Sequence, residues 1–353
     1  MEGSLASAPV HPSLSVLIVA WNSRRELART LPALLPELGP DDELIVVDND
    51  SPDDSAAVVR ELAPRAKLVR MGRNAGFSGG CNAGAEEAAG DLLVILNPDG
   101  APRPGWGEAI RLPWREGRGW AAWQALVVEA GGTEINSAGN PVHFTGIVWA
   151  GAHGEPIASA PSAPTEVPVL SGACLAIPTA TWRRLGGFAE RFFMYHEDVD
   201  LSIRLRLQGG TVGIEPRAVV EHDYEFGASA GHKWRWLERN RLAFLVRDYP
   251  AALLALLAPA LLATELALLA VSSRGGWGAQ KLAANGEALR WLPRLLRQRR
   301  RIQRERTVGA AEFASWLTPD LDSPFIAGPA RSWPVRLALR TYWRLVRALL
   351  GAT

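Results

Sequence analysis

Through the first hundred residues, short β-branched runs alternate with helical patterns. Residues 15–20 read as a buried strand, followed by a helical stretch over about 24–35. Residues 43–48 read as a second strand, and a helix starts near 52–54 with Ser51 as its N-cap. Residues 67–71 and 79–89 repeat the strand–helix pair, and 91–96 form a fourth strand ending in the turn Asn97-Pro98-Asp99-Gly100. Alternation at this spacing predicts an α/β fold, a mostly parallel sheet with helices on both faces. Ligands of such sheets sit at the C-terminal strand ends. Polar residues gather there: Asn22 after strand one, Asp48 and Asn49 after strand two, Arg73 and Asn74 after strand three, Asn97 and Asp99 after strand four. Beyond residue 100 the pattern turns to Gly- and Trp-rich strands and hairpins over 120–128 and 133–150. A Pro/Ala/Ser loop over 151–168 then reads as a mobile flap over a site.

The formal charge of +1 hides two opposed surfaces. Residues 1–230 hold 18 Lys/Arg against 29 Asp/Glu, whereas 231–353 hold 20 against 8. This acidic body and basic last third predict an anionic partner for the latter. Three units follow: a leader over 1–13, an α/β domain over 14–230 and a helical region over 231–353. The N-terminus lacks a basic segment followed by an apolar run, so no secretory signal is expected. Residues 250–271 are apolar and long enough to span a bilayer, but Glu265 would cost roughly 2.5–3.5 kcal/mol there. Arg290, Arg294, Arg297, Arg301 and Arg304 share one helical face, as do Arg336, Arg340, Arg344 and Arg347, with Leu337, Trp343, Val346 and Leu350 elsewhere on that second helix. Seven of the fourteen tryptophans lie in this third, so the composition is that of helices lying in an anionic membrane interface. A solvated helical bundle is the plainer alternative. Basic residues interleaved with apolar faces beside an acidic body disfavour a nucleic-acid partner.

Asp99, on a turn fixed by Pro98, faces the expected crevice, where a carboxylate can hold Mg²⁺ or Mn²⁺; an ordinary Asp-Gly turn is the other reading. Gly76, Gly79, Gly80 and Gly84 permit close backbone approach but match neither G-x-G-x-x-G nor a P-loop. Glu197, Asp198 and Asp200 follow the bulky run 192–196 and form a partly desolvated cluster able to supply a general base, or else a helix-capping charge. His222, closing an apolar run, is a further metal or phosphate ligand, or a structural histidine. Cys81 and Cys174, the two cysteines, are small core residues.

Taken together, the segments 17–22, 46–51, 73–84 and 97–99, followed by Gly172-Ala173, Gly186-Gly187-Phe188, 193–201, Arg204, Gly209, His222 and Arg239-Asn240, resemble the family 2 glycosyltransferases of GT-A fold. The likeness is strongest to bacterial rhamnosyltransferase-like members acting in cell-wall, O-antigen or capsule assembly, and it spans roughly 14–245. It implies inverting sugar transfer from a nucleotide-diphosphate donor with a divalent metal, Mg²⁺ or Mn²⁺. By motif match, Asp99 is the metal-binding carboxylate of a DXD-like element, His222 helps hold metal or diphosphate, Asp48 contacts the nucleoside, and Arg73 and Asn74 line its pocket. Asp198 is the base that deprotonates the acceptor. Asn22, Asn49, Gly76, Asn97 and Glu197 complete the donor-site set. Asn97 stands at the first position of the DXD-like element, and Trp21 where Tyr is commoner. A single base without a second carboxylate nucleophile favours inversion. The expected donor is dTDP-rhamnose, with UDP-galactofuranose or UDP-N-acetylglucosamine as alternatives, and the acceptor is a polyprenyl-diphosphate-linked or cell-surface glycan. The enzyme would be peripheral on the cytoplasmic face of the inner membrane. A non-catalytic membrane-bound scaffold is the alternative of another class.

Overall fold

A computed structural model describes residues 11–223, 230–322 and 332–351, so most of the expected leader lies outside the described residues. The predicted alternation is present. β1 (Leu14–Ala20), α1 (Arg24–Leu34), β2 (Glu43–Asp48), α2 (Ser55–Leu62), β3 (Lys67–Arg70), α3 (Gly76–Glu86) and β4 (Leu92–Leu96) follow in that order. Next come β5 (Gly100–Pro102), α4 (Trp106–Arg115), β6 (Ala122–Glu129), β7 (Ile135–Ser137), β8 (Val142–His143) and β9 (Thr165–Glu166). β10 (Cys174–Pro178), α5 (Thr179–Leu185), α6 (Glu197–Leu207) and β11 (Val212–His222) complete this part of the chain. The main sheet runs β3-β2-β1-β4-β10-β6-β11-β5, with β7 beside β6 and β9 beside β11. β1 to β4 are parallel, β10 is antiparallel to both its neighbours, and β11 is parallel to β6.

Strands covered on both faces are apolar throughout, and their side chains alternate between two layers. Leu17, Val19, Ile45, Val47, Leu93 and Ile95 pack with residues of α3, α5 and α6. Val16, Ile18, Val46, Leu92 and Val94 pack with those of α1, α2 and α4. Cys81 and Cys174 are buried free thiols in these cores, as expected. The α3 glycines have a different use from the one expected. A Cβ on Gly80 or Gly84 would run into Val19, or into Leu17 and Val47, so these two glycines let the helix lie directly on β1 and β2.

Three local expectations change. The second helix begins at Ser55, because Asp53 Oδ1 accepts the Ser55 N–H (3.0 Å). Ser51 is therefore not its cap: it donates its N–H to Asp48 Oδ1 (3.0 Å) and its hydroxyl to Ala20 O (3.3 Å). The third helix starts at Gly76, which adopts a φ of +73°. The expected flap over 151–168 is stitched down at both ends. Ile135 N–H donates to Glu155 O (2.8 Å), Val167 N–H donates to Val212 O (3.0 Å), and β9 pairs with β11.

The last third comprises α7 (Ala230–Asp248), α8 (Ala251–Arg274), α9 (Gly278–Glu305), α10 (Ala310–Ser315), β12 (Leu317–Thr318), paired with β8, and α11 (Trp333–Leu349). It shares a core with the sheet domain: Val199, Ile203 and Leu207 of α6 cluster with Phe244, Tyr249, Leu253, Phe313, Trp343 and Val346. α8 is long and apolar enough to cross a membrane by length and composition. Its Glu265 accepts from Arg241 and from Lys281 (2.7 Å), and the fully buried Lys281 also donates to Glu238 (2.7 Å). Leu253 and Leu257 of α8 face the core, while Leu262, Leu266 and Val271 are exposed. On α9 the five predicted arginines are all exposed, as are Leu282, Leu289 and Leu296. On α11, Trp343 stacks on Phe144 (5.1 Å between centroids), and Arg340 pairs with Asp320 (2.7 Å).

Candidate active site

The first half of the site is the turn after β4. Asn97 N–H donates to Ala173 O (2.9 Å), Thr30 to Pro98 O (2.8 Å), Arg29 to Asp99 O (2.6 Å), and Gly100 N–H closes the turn on Asn97 O (3.0 Å). β5 then runs antiparallel to β11, with Gly100 opposite His222. This register sets His222 Nε2 3.1 Å from Asp99 Oδ1 and 3.1 Å from Asn97 Nδ2. Asp99 thus brings a carboxylate oxygen, and His222 an imidazole nitrogen, to one spot beside Asn97. One carboxylate oxygen and one imidazole nitrogen suit a divalent ion that fills its remaining positions with water and phosphate oxygens. Asp99 and His222 fit that ion, although no group of three or more His, Cys, Asp or Glu side chains able to hold a metal occurs among the described residues.

The second half is the N-terminus of α6, where the predicted acidic cluster divides into three unlike groups. Asp200 is fully buried; burial opposes its charge, but Arg204 (2.7 Å) and Arg247 (2.8 Å) outweigh it and hold its pKa below the ordinary value. Glu197 is buried, and burial, reinforced by the charge of Asp198, raises its pKa well above the usual range. Asp198 is half-buried and accepts the Gly172 N–H (2.8 Å) on one oxygen and the Val199 N–H (2.8 Å) on the other. Burial raises its pKa, and those two hydrogen bonds only partly offset the rise. A half-accessible carboxylate with elevated proton affinity has the properties of a general base.

Adjacent residues tie the two halves together: Ala173 O holds Asn97, and Gly172 N–H holds Asp198. The sequence pointed to this dipeptide without giving it a role, because the contacts are made by backbone atoms that any residue carries. Arg29 and Thr30 were missed for a related reason, since on sequence alone they are ordinary helix residues.

The predicted donor-side residues line the neighbouring strand ends. Asp48 is half-buried below the loop it bonds through Ser51, Asn22 has a φ of +56°, and Trp21 is 51 % exposed beside it. Arg73 is exposed on the loop before α3. Asn49 departs from expectation. It is buried, donates to Asn74 Oδ1 and Gly76 O (3.1 Å each) and accepts the Ala75 N–H (2.9 Å). Its amide is committed to shaping the loop and is not presented to a ligand. Asn74 Oδ1 also accepts the Gly76 N–H (2.9 Å). Gly76 is required by packing: a Cβ there would collide with the Phe193 carbonyl and ring.

Phe193, Tyr195 and His196, leading into Glu197, have φ values of +65°, +70° and +67°. Each costs roughly 1–3 kcal/mol, and such backbone persists only where its surroundings fix it.

The sheet order and the helices packed on it give the chain a GT-A fold. Residues 15–152 match the model of Glycosyl transferase family 2. The chain is 28% identical over 234 residues to the N-acetylglucosaminyl-diphospho-decaprenol L-rhamnosyltransferase of Mycobacterium tuberculosis, covering 59% of this chain and 75% of that protein. It is 30% identical over 215 residues to the O-antigen biosynthesis protein RfbC of Myxococcus xanthus, covering 56% of this chain and 16% of that one. Among solved structures it is similar to S. aureus TarS 1-349 in complex with UDP (TM-score 0.54, 13% identity, 96% of this chain, 90% of that). It is also similar to GalNAc-T7 with UDP, GalNAc and Mn²⁺ (TM-score 0.55, 18% identity, 66% of this chain); the chain spans 47% of that structure's length.

Proposed function

We propose that the chain transfers a sugar, with inversion, from a nucleotide-diphosphate donor to a hydroxyl of a polyprenyl-diphosphate-linked or cell-surface glycan. The reading rests on the meeting of the Asp99–His222 pair with Asp198 around Gly172-Ala173. Asp198, steadied by two N–H groups, takes the proton of the acceptor hydroxyl as its oxygen bonds the anomeric carbon. The bond from that carbon to the diphosphate breaks, and its electron pair leaves with the nucleotide. When bound at Asp99 and His222, Mg²⁺ or Mn²⁺ supplies neutralisation of the departing charge. Asp48 and Arg73 border the donor pocket.

L-rhamnose from dTDP-rhamnose is the first donor to test, on the likeness to the mycobacterial enzyme. That enzyme's lipid-linked substrate also supports attachment to the cytoplasmic face of the inner membrane, as do the leucines and arginines exposed together on α9.

Calorimetry with dTDP-rhamnose, UDP-galactofuranose and UDP-N-acetylglucosamine, each with Mn²⁺ and again with EDTA, tests the reading. One donor is expected to bind only with the metal, and Asp198→Asn to bind it equally while losing transfer by at least about a thousandfold. Failure of all three to bind folded protein would overturn the donor assignment, and normal turnover by Asp198→Asn would overturn the base.

A further inference from the structure

The Arg239-Asn240 dipeptide has no part in the chemistry above, yet α7 delivers it to the strained segment that precedes the catalytic helix. Asn240 is fully buried. Its Nδ2 lies 2.9 Å from Phe192 O, 2.8 Å from Met194 O and 2.7 Å from Tyr195 O. Its Oδ1 accepts from Arg239 Nε (3.0 Å), which fixes the orientation of the amide. Arg239 Nη2 donates in turn to Phe192 O (2.9 Å). Two N–H bonds are thus shared among three carbonyls of one short turn. That turn is tight: Met194 N–H donates to Phe192 O (2.7 Å) across Phe193, which has φ +65° and ψ −59°. A three-residue turn of this hand is rare, and here it is followed at once by two more left-handed residues, Tyr195 and His196. His196 is the N-cap of α6, so the direction in which Glu197 and Asp198 leave the turn is set by these residues. The same turn reaches the donor side, where Phe193 O accepts the Ser78 N–H (3.1 Å).

We propose that Asn240 is a positioning residue: its carboxamide gathers the carbonyls of 192, 194 and 195 into the left-handed turn that aims Asp198 at the acceptor. The helix beyond the sheet domain is in this way a working part of the active site. The inference rests on Asp198 being the base. Asn240 touches no reacting atom; its effect is carried through the turn. Releasing the turn lets Asp198 turn outward and gain solvent, so its proton affinity falls back toward that of an ordinary aspartate.

The test compares wild type, Asn240→Ala, Asn240→Ser and Asp198→Asn in the full chain, using whichever of the three nucleotide sugars binds. Asn240→Ala is expected to lower kcat about 100-fold, to leave donor Kd within twofold, and to move the acidic limb of the kcat/KM profile to lower pH. Asn240→Ser, which keeps one donor, should fall between, and it carries the test if the alanine variant does not fold. Adding Asn240→Ala to Asp198→Asn should bring no further loss. Unchanged kcat and pH limb in both Asn240 variants would overturn the proposal. So would a loss of donor binding in step with kcat while the limb stays in place, which is the mark of a merely structural residue. An active Asp198→Asn removes the base and the positioning role together, and it is distinguished because the Asn240 variants have no bearing on that result.

Discussion

Glu197 shows how much a single buried carboxyl changes. Burial and the charge of the neighbouring Asp198 raise its pKa well above the ordinary value, and Oε2 has no hydrogen-bond partner among the described residues. Its folded pKa lies above its ordinary value of 4.5, so over that interval the native state keeps a proton that the unfolded chain has released. Stability from this group therefore falls as pH rises through the interval and is fully present below it. Glu197→Gln keeps the neutral shape, so thermal unfolding should match wild type at pH 4 and show a stabilisation of about 1–3 kcal/mol at pH 8. His222 is argued from its two contacts with Asp99 and Asn97. His222→Ala should weaken Mn²⁺-dependent donor binding by about tenfold or more, read by calorimetry.

At the scale of elements, α3 depends on what its glycines lack. A Cβ at Gly84 would enter the space of Leu17 and Val47, so Gly84→Ala should cost about 1–3 kcal/mol in urea denaturation. Gly117→Ala has nothing near its Cβ and pays only for its left-handed φ. The strands were legible because the apolar runs at 14–20, 43–48 and 92–96 are buried on both faces. Asp99, Asp198 and His222 stand out as candidates because the residues that flank them form recognisable ordered motifs. The start of α2 was not legible, since Ser51, Asp53 and Asp54 are all good capping residues and only tertiary contacts choose among them. Asn49 misled for the same reason that it is useful. A polar residue at a strand end can face a ligand or build the loop that does, and the sequence reads alike in both cases. The left-handed turn at 193–196 had no signal at all, because it contains no glycine.

For the whole molecule, the last third is attached through a shared core and through the Arg247–Asp200 ion pair, while the charges of Glu238, Arg241, Glu265 and Lys281 tie α7, α8 and α9 to one another. Lys281→Met should cost about 3–5 kcal/mol in thermal or urea unfolding, because it leaves carboxylates buried with less compensation. Membrane attachment is best probed from the outside. Leu282, Leu289 and Leu296 changed together to serine should reduce co-sedimentation with phosphatidylglycerol vesicles while leaving the fold intact; undiminished binding would sink the interfacial reading of α9. Removing residues after 286 is a poor substitute, since it takes Leu295, Trp343 and Val346 out of the core. The β5–β11 pairing has a last consequence. It joins Asn97 to His222 across 125 residues of chain. The stretch matched by the family model, 15–152, includes Asp99 but neither His222 nor Asp198. As a separate fragment it would hold half of the proposed cation site and lack the proposed base, so Mn²⁺ binding can serve as a readout of that long-range pairing: on the proposed reading it should switch on during refolding only when the far strand has come home.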